Sequence, residues 1–291
     1  MARDEAGPSK ANREKDMKIA VASGKGGTGK TTISVSLALA SNKPVTFVDC
    51  DVEEPNAHIF LKPDISGSEE FYLTVPEVIE DRCNYCAKCR DLCQFNAITV
   101  FGHTIMAFPD MCHSCGGCFL VCDQKALKQG KRQIGKVEWG TSGHIKVFQA
   151  ALRVGEAMAS PLIKVVKKKA EEREIVIYDA PPGTSCPVIN TVRDADYVLL
   201  VTEPTPFGLH DLKLAAAVMK ELKLPFGVIL NKAGIGFSKV NKWCEENDIP
   251  LHMEIEFDKD LASAYSRGIP IVEAVDGLKK QFADLLKELE K

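Results

Sequence analysis

The stretch Gly24-Lys25-Gly26-Gly27-Thr28-Gly29-Lys30-Thr31-Thr32 decides the reading of this chain, because it contains the pattern G-x-x-x-x-G-K-T from Gly24 to Thr31. Glycines at these spacings let the backbone curl until its N–H groups converge on phosphate oxygens, and a helix starting near Lys30 adds its positive N-terminal end. In such a loop Lys30 reaches the β- and γ-phosphates and Thr31 ligates Mg²⁺. The mechanism demands a strand before the loop and a helix after it. The apolar run Lys18 to Ala22 and the helix-like spacing from Thr31 to Ser41 meet that demand, and a second strand, Val45 to Asp49, completes a βαβ opening.

Outward from this loop the alternation continues in the second half. Strands are expected at 174–179, 197–202, 226–231 and 251–255, with helices near 209–222, 239–247, 259–266 and 277–289. Such alternation implies an α/β fold, a doubly wound and mostly parallel sheet with helices on both faces. Between about Glu80 and Gly140 the character changes to cysteines, glycines and short alternating segments, 98–101 and 104–108. The expected organisation is therefore a polar, disordered tail over 1–16, a discontinuous main domain over 17–79 and 141–291, and a small α+β insert over 80–140.

Bulk properties narrow the function classes. The chain has 291 residues, 45% hydrophobic and 26% charged, with a net charge of -3. That balance gives no general pull toward nucleic acid or an anionic membrane. No run approaches the roughly 20 apolar residues that span a bilayer, and the polar N-terminus lacks the apolar stretch of a secretory signal. A cytoplasmic protein with no nucleic acid and no membrane partner is expected. Of eleven cysteines, eight fall between Cys83 and Cys122. Beside a phosphate-binding loop and without an export signal, metal binding explains them better than disulfides.

Lys25, directly after Gly24, makes the loop resemble the deviant Walker A motif of the MinD/ParA/nitrogenase iron protein superfamily. The resemblance implies an ATPase, slow and stimulated by partners, in which two subunits sandwich Mg-ATP and Lys25 contacts phosphate across the homodimer interface. Val48-Asp49-Cys50-Asp51-Val52 resembles the family's first switch, where Asp51 would orient or activate the attacking water and take part in the Mg²⁺ shell. Ile175 to Gly183 resembles its Walker B strand and second switch, with Asp179 in the Mg²⁺ shell and Gly183 sensing the γ-phosphate. Asn231 resembles the residue that reads adenine. Asp196 and Thr202-Glu203-Pro204 match in context and receive no role.

Cys83-x₂-Cys86-x₂-Cys89-x₃-Cys93 recurs with identical spacing as Cys112-x₂-Cys115-x₂-Cys118-x₃-Cys122. This is the bacterial two-cluster ferredoxin pattern, and two four-cysteine runs of this kind fit two [4Fe–4S] clusters better than zinc. By that resemblance Cys83, Cys86, Cys89 and Cys122 bind one cluster, and Cys112, Cys115, Cys118 and Cys93 the other. The proline usual after the fourth cysteine is replaced by Gln94 and Asp123. His113 is read as a neighbour of the ligands or a surface residue. Cys50 and Cys244 read as packed thiols. Cys186, seven residues after Asp179, stands where the nitrogenase iron protein places a cluster ligand at its dimer interface, and is a candidate interface thiol.

The tail from Val275 to Lys291 is amphipathic, but its polar face mixes acids with lysines, so it is expected to pack on the domain rather than on a membrane. Lys167-Lys168-Lys169 with Glu171, Glu172 and Glu174 reads as a solvated helix face. The whole chain from Met17 thus resembles MinD-superfamily ATPases with an inserted ferredoxin domain. Its expected task is nucleotide-driven dimer change coupled to iron–sulfur or metal-cofactor assembly, as in Mrp-type carriers, or to electron transfer between a donor and an acceptor protein. The alternative is a MinD/ParA-like spatial regulator with structural or sensory clusters.

Overall fold

A computed structural model describes residues 17–170, 175–234 and 236–290. The expected tail over 1–16, and Glu171, Glu172 and Glu174 of the charge run, lie outside the described residues. The chain begins with β1 (Met17–Ala22), α1 (Lys30–Ala40), β2 (Val45–Asp49), α2 (His58–Leu61) and β3 (Asp64–Val78). The cysteine region holds α3 (Lys88–Leu92), β4 (Ile98–Phe101), β5 (Thr104–Ala107), α4 (Gly117–Val121) and β6 (Leu127–Ser142). Then follow β7 (Ile145–Leu152), α5 (Ala159–Lys169), β8 (Ile175–Asp179), α6 (Cys186–Val192), β9 (Tyr197–Thr202) and α7 (Pro206–Glu221). The chain closes with β10 (Phe226–Ala233), α8 (Lys239–Glu246), β11 (Leu251–Glu256), α9 (Lys259–Ser266), α10 (Ile271–Ala274) and α11 (Leu278–Leu289).

Among the described residues nine strands form one sheet in the order β11-β10-β9-β1-β8-β2-β7-β6-β3. β1 pairs in parallel with β8 on one side and β9 on the other, and parallel pairing extends to β2, β7, β10 and β11. Strands covered on both faces need continuous apolar runs. Ile19, Val21, Phe47, Ile177 and Leu199 are accordingly inaccessible to solvent. From β1 the chain crosses toward β2, and from β8 it crosses the other way to β9. The strand order therefore reverses at the carboxyl end of β1, where open α/β sheets bind ligands.

The chain divides into two compact units. The first takes the residues up to Ser68, Glu138–Ala151 and the chain from Ala159 onward; the second takes Glu69–Val137 and Leu152–Met158. The divisions fall inside β3 and β6, at the end of β7 and ahead of α5. Sequence patterning missed β3, β6 and β7 and anticipated α5 only through the helix face at Lys167-Lys168-Lys169, and β6 is a long strand where only short segments were expected.

Within the second unit the duplicated cysteine run folds as a duplicated structure, each feature recurring 29 residues on, as Cys112 follows Cys83. A 3₁₀ turn at Glu80–Arg82 recurs at Pro109–Met111, and α3 recurs as α4. Left-handed residues recur in pairs: Tyr85 and Ser114, Ala87 and Gly116, Asn96 and Lys125. Five non-glycine residues besides the paired glycine accept that strain, which marks loops held by their surroundings.

In the first unit α11 packs against α1, burying Leu278, Phe282, Leu285 and Leu286. The expected apolar face of the tail is thus turned onto the domain. Among the described residues no helix is long and apolar enough to cross a membrane.

Candidate functional site

The loop between β1 and α1 has the curl its glycines imply. Gly27 and Gly29 lie at φ 77° and 96°. A methyl group on Gly24 would sit 2.2 Å from the backbone oxygen of Asp211, so the loop is pressed against α7. Gly24→Ala should force the loop away from that carbonyl at a cost of about 1–3 kcal/mol. Thermal melting and nucleotide titration of the variant read the effect; an unchanged melting temperature and affinity would contradict it.

Lys30 is buried, and burial holds its ammonium below the usual lysine value although Asp179 and Asp51 pull it up. Asp179 and Asp49 end adjacent parallel strands in register and are both inaccessible to solvent. They have opposite surroundings. Asp49 accepts backbone N–H bonds from Asp51, Asn56 and Ala57 at 3.1 Å each, which anchors the loop after β2. Neither carboxylate oxygen of Asp179 has a hydrogen-bond partner among the described residues. Burial pushes Asp179 above the usual carboxylate range, against the pull of the Thr31 and Ser34 hydroxyls and Lys30. Burial likewise raises Asp49, with Asp179 adding repulsion, and raises Asp51 against Lys30. A buried carboxylate with both oxygens free, facing a lysine and a threonine hydroxyl, fits a hard divalent cation held by Thr31, Asp51 and Asp179.

These shifts set an expected pH response. A group whose folded pKa is raised stabilises the fold at pH below its unfolded value and loses that contribution as pH rises past it. Without nucleotide or Mg²⁺, Asp49 and Asp179 should therefore lower the melting temperature as pH rises above the ordinary carboxylate range. Asp179→Asn should flatten the slope, and added Mg²⁺ should oppose it. A slope unchanged in that variant would rule the pair out as its source.

Glu203, given no role from sequence, holds the distinctive lysine. Lys25 Nζ lies 2.8 Å from its carboxylate, which Lys232 shares, and Lys232 also donates to the Gly27 carbonyl at 3.1 Å. Burial alone would raise Glu203, but the two lysines outweigh it and hold its carboxyl below the usual range. Gly183, at φ 99°, donates to the Ser23 carbonyl at 3.0 Å and so ties the loop after β8 to the end of β1.

A cavity of about 310 Å³ adjoins the loop, lined by Gly27, Gly29 and Thr32, by Asn231 and Lys232, and by Phe257 and Tyr265 beyond β11. Asn231 donates its side-chain amide to the Thr28 carbonyl at 2.8 Å and so braces the loop from the cavity side. The β11–α9 contribution carries no motif and was missed; aromatic residues just after a strand end were its only signal.

In the second unit the thiols gather in two groups. Cys83, Cys86, Cys89 and Cys122 line one pocket; Cys93, Cys112, Cys115 and Cys118 line the other, which Cys89 also borders. Each group thus takes three thiols from one repeat and the fourth from the other. Backbone N–H groups of Tyr85 and Ser114 point at the first cysteine sulfur of each run, and those of Ala97 and Ala126 at the fourth, over 3.2–3.4 Å. Burial raises the Cys89 thiol, with Cys122 and Cys83 adding repulsion, and pushes Cys118 up to about 11, with Cys112 and Cys115 adding theirs. Thiols so crowded and aimed at by N–H groups fit a group that stabilises thiolate. Among the described residues no three His, Cys, Asp or Glu side chains close around a single-ion point; a cubane is gripped at its corners by more widely spaced sulfurs. His113 stacks on Phe95 with ring centroids 3.7 Å apart. Cys50 and Cys244 are buried as expected, and Cys186 is exposed at the first residue of α6.

Residues 19–271 match the model of the CobQ/CobB/MinD/ParA nucleotide binding domain. A protein of Methanocaldococcus jannaschii named only as uncharacterized is 31% identical over 260 residues, covering 87% of this chain and 90% of its own length. An iron-sulfur cluster carrier protein of Pyrococcus horikoshii is 26% identical, covering 94% of this chain and 85% of its own length. The septum site-determining protein MinD of Pyrococcus horikoshii, solved with Mg-ADP, superposes with a TM-score of 0.59 at 20% identity over 95% of this chain and 97% of its own. The fold, the phosphate loop and the match across most of the sequence agree: this chain belongs to the CobQ/CobB/MinD/ParA family and is an ATP-binding P-loop ATPase.

Proposed function

We propose that this ATPase couples nucleotide-driven dimer change to iron–sulfur chemistry, holding two [4Fe–4S] clusters in its second unit. The observation that carries this reading is the pair of four-thiol groups, each completed by a cysteine from the other repeat. Cys83, Cys86, Cys89 and Cys122 hold one cluster and Cys93, Cys112, Cys115 and Cys118 the other. Relatives at 24–27% identity that are named iron-sulfur cluster carrier proteins support it. Bound clusters would supply one-electron storage.

The rest is the work of this chain's own residues. Gly24 to Thr32 cradle the phosphates, Lys30 offsets charge that develops on the transferred group, and Thr31, Asp51 and Asp179 hold Mg²⁺. Asp51 orients the attacking water. Lys25 leaves Glu203 to reach phosphate on the second subunit, while Lys232 stays to balance the carboxylate. Asn231 faces the base. Complete four-thiolate sets suit resident clusters that pass electrons to a partner. Cys186, exposed at the start of α6, is the candidate among the described residues for handling a cluster or metal in transit. A spatial regulator would need no such thiol sets.

Anaerobic purification with iron and sulfide quantitation, then EPR after dithionite reduction with and without Mg-ATP, tests the reading. About eight irons per chain with nucleotide-dependent spectra are expected. Zinc, or no metal, would remove it. Iron that moves to an apo-acceptor protein would assign carriage; electrons moving alone would assign redox coupling.

A further inference from the structure

The two cysteine sites share one frame but not one environment. Arg132 is buried at 6% exposure, and the side chain of its ion-pair partner Glu156 is exposed by only 1%. One guanidinium nitrogen, Nη1, pairs with Glu156; the other, Nη2, donates to the carbonyl of Cys112 at 3.2 Å. Arg132 Nε has no hydrogen-bond partner among the described residues. Glu156 is fixed in turn by the Met158 N–H at 3.0 Å. At the matching position one repeat earlier stands His103, exposed, its ring edge-on to Tyr85. The charges near the first site that pair most closely, Lys88 and Asp123, are exposed to water on both sides.

We infer that Arg132 makes the two sites unequal and keeps the first electron at the Cys93–Cys112–Cys115–Cys118 site. The inference rests on the reading that both sites hold clusters. One-electron reduction adds negative charge without making or breaking a bond. A buried cation beside a ligand favours that added charge, whereas exposed charges are screened by water and salt. Glu156 reduces the effect without abolishing it, because it pairs with the guanidinium nitrogen other than the one that donates to Cys112, so the ion pair presents its positive end to that carbonyl. Asp110, 4.0 Å from Nη1, is 81% exposed and already paired with Arg153. Arg132 is thus a positioning residue for the electron, and the duplicated frame acquires a direction.

The test uses the whole chain, purified anaerobically and given about one electron per chain from dithionite. Cys86→Ser marks the first site, since an oxygen ligand changes that cluster's EPR signal. In the otherwise native protein most of the signal should belong to the second site. The double variant Arg132→Gln/Glu156→Gln avoids stranding a buried carboxylate. It should shift the distribution at least tenfold toward the first site, equivalent to 59 mV for one electron. Arg132→Lys should retain the native distribution. Full iron content with the same distribution in the double variant would overturn the inference about Arg132 alone. Absence of iron from the unmodified protein would overturn the cluster reading beneath it.

Discussion

Lys30→Met is expected to lower the rate of ATP hydrolysis by about 10²–10³-fold, the scale of losing one preorganised charge at a developing anion. Lys30 is held in a buried setting that penalises its own charge, and only Asp179 and Asp51 oppose that penalty. A cation kept there at such cost is an electrostatic element of the site. Its loss also leaves the buried Asp179 and the Asp51 carboxylates without their offsetting charge, so the empty protein should melt somewhat lower, while phosphate release collapses. A variant that unfolds, or one that hydrolyses within a few-fold of the parent, would contradict this assignment.

The second large effect concerns the helix that backs the phosphate loop. Phe282→Ala should destabilise the protein by about 3–5 kcal/mol, the usual cost of deleting a buried aromatic ring. Phe282 is inaccessible to solvent in the cluster that joins α11 to Ile33 and Leu37 of α1. A void there loosens the helix that begins with Lys30 and Thr31. A fall of about 10 °C in melting temperature follows for a body of this size. Nucleotide affinity should fall with it, and saturating Mg-ATP should recover part of the loss through linkage. A drop of less than about 1 kcal/mol would show that the helix packs there without bearing on stability.

The phosphate loop was legible because only glycine tolerates its backbone path, and the central strands because both their faces are covered. The long strands β3 and β6 were not legible for the converse reason. β3 is a sheet edge, mostly exposed, carrying Pro76 and several acids, which is how edges are kept from pairing further. Its residues need not alternate between apolar and polar. Within β6, Gly130 and Gly140 approach Glu77 and the backbone of Asp64 too closely for a side chain, so these glycines are packing requirements of a long strand. Glu203 received no role because its partners, Lys25 and Lys232, are distant in sequence and no spacing rule links them. The cysteine grouping could be anticipated only through the resemblance to the two-cluster ferredoxin pattern, and the inequality of the halves carried no sequence signal. Arg132 lies outside the motif and acts through a carbonyl rather than a sulfur.

The exchange of fourth thiols between the repeats also bears on synthesis. Cys83, Cys86 and Cys89 leave the ribosome first, yet their group is the last to be completed, because Cys122 lies 33 residues beyond Cys89. At about 5–20 residues per second that leaves three converging thiols short of their fourth for about 2–7 s. The second group, by contrast, has Cys93 waiting and closes as soon as Cys118 emerges. Nascent chains stalled between residues 93 and 118 would therefore present free thiols to oxidants and stray metal ions, and the order in which the two groups become complete is set by the order of translation.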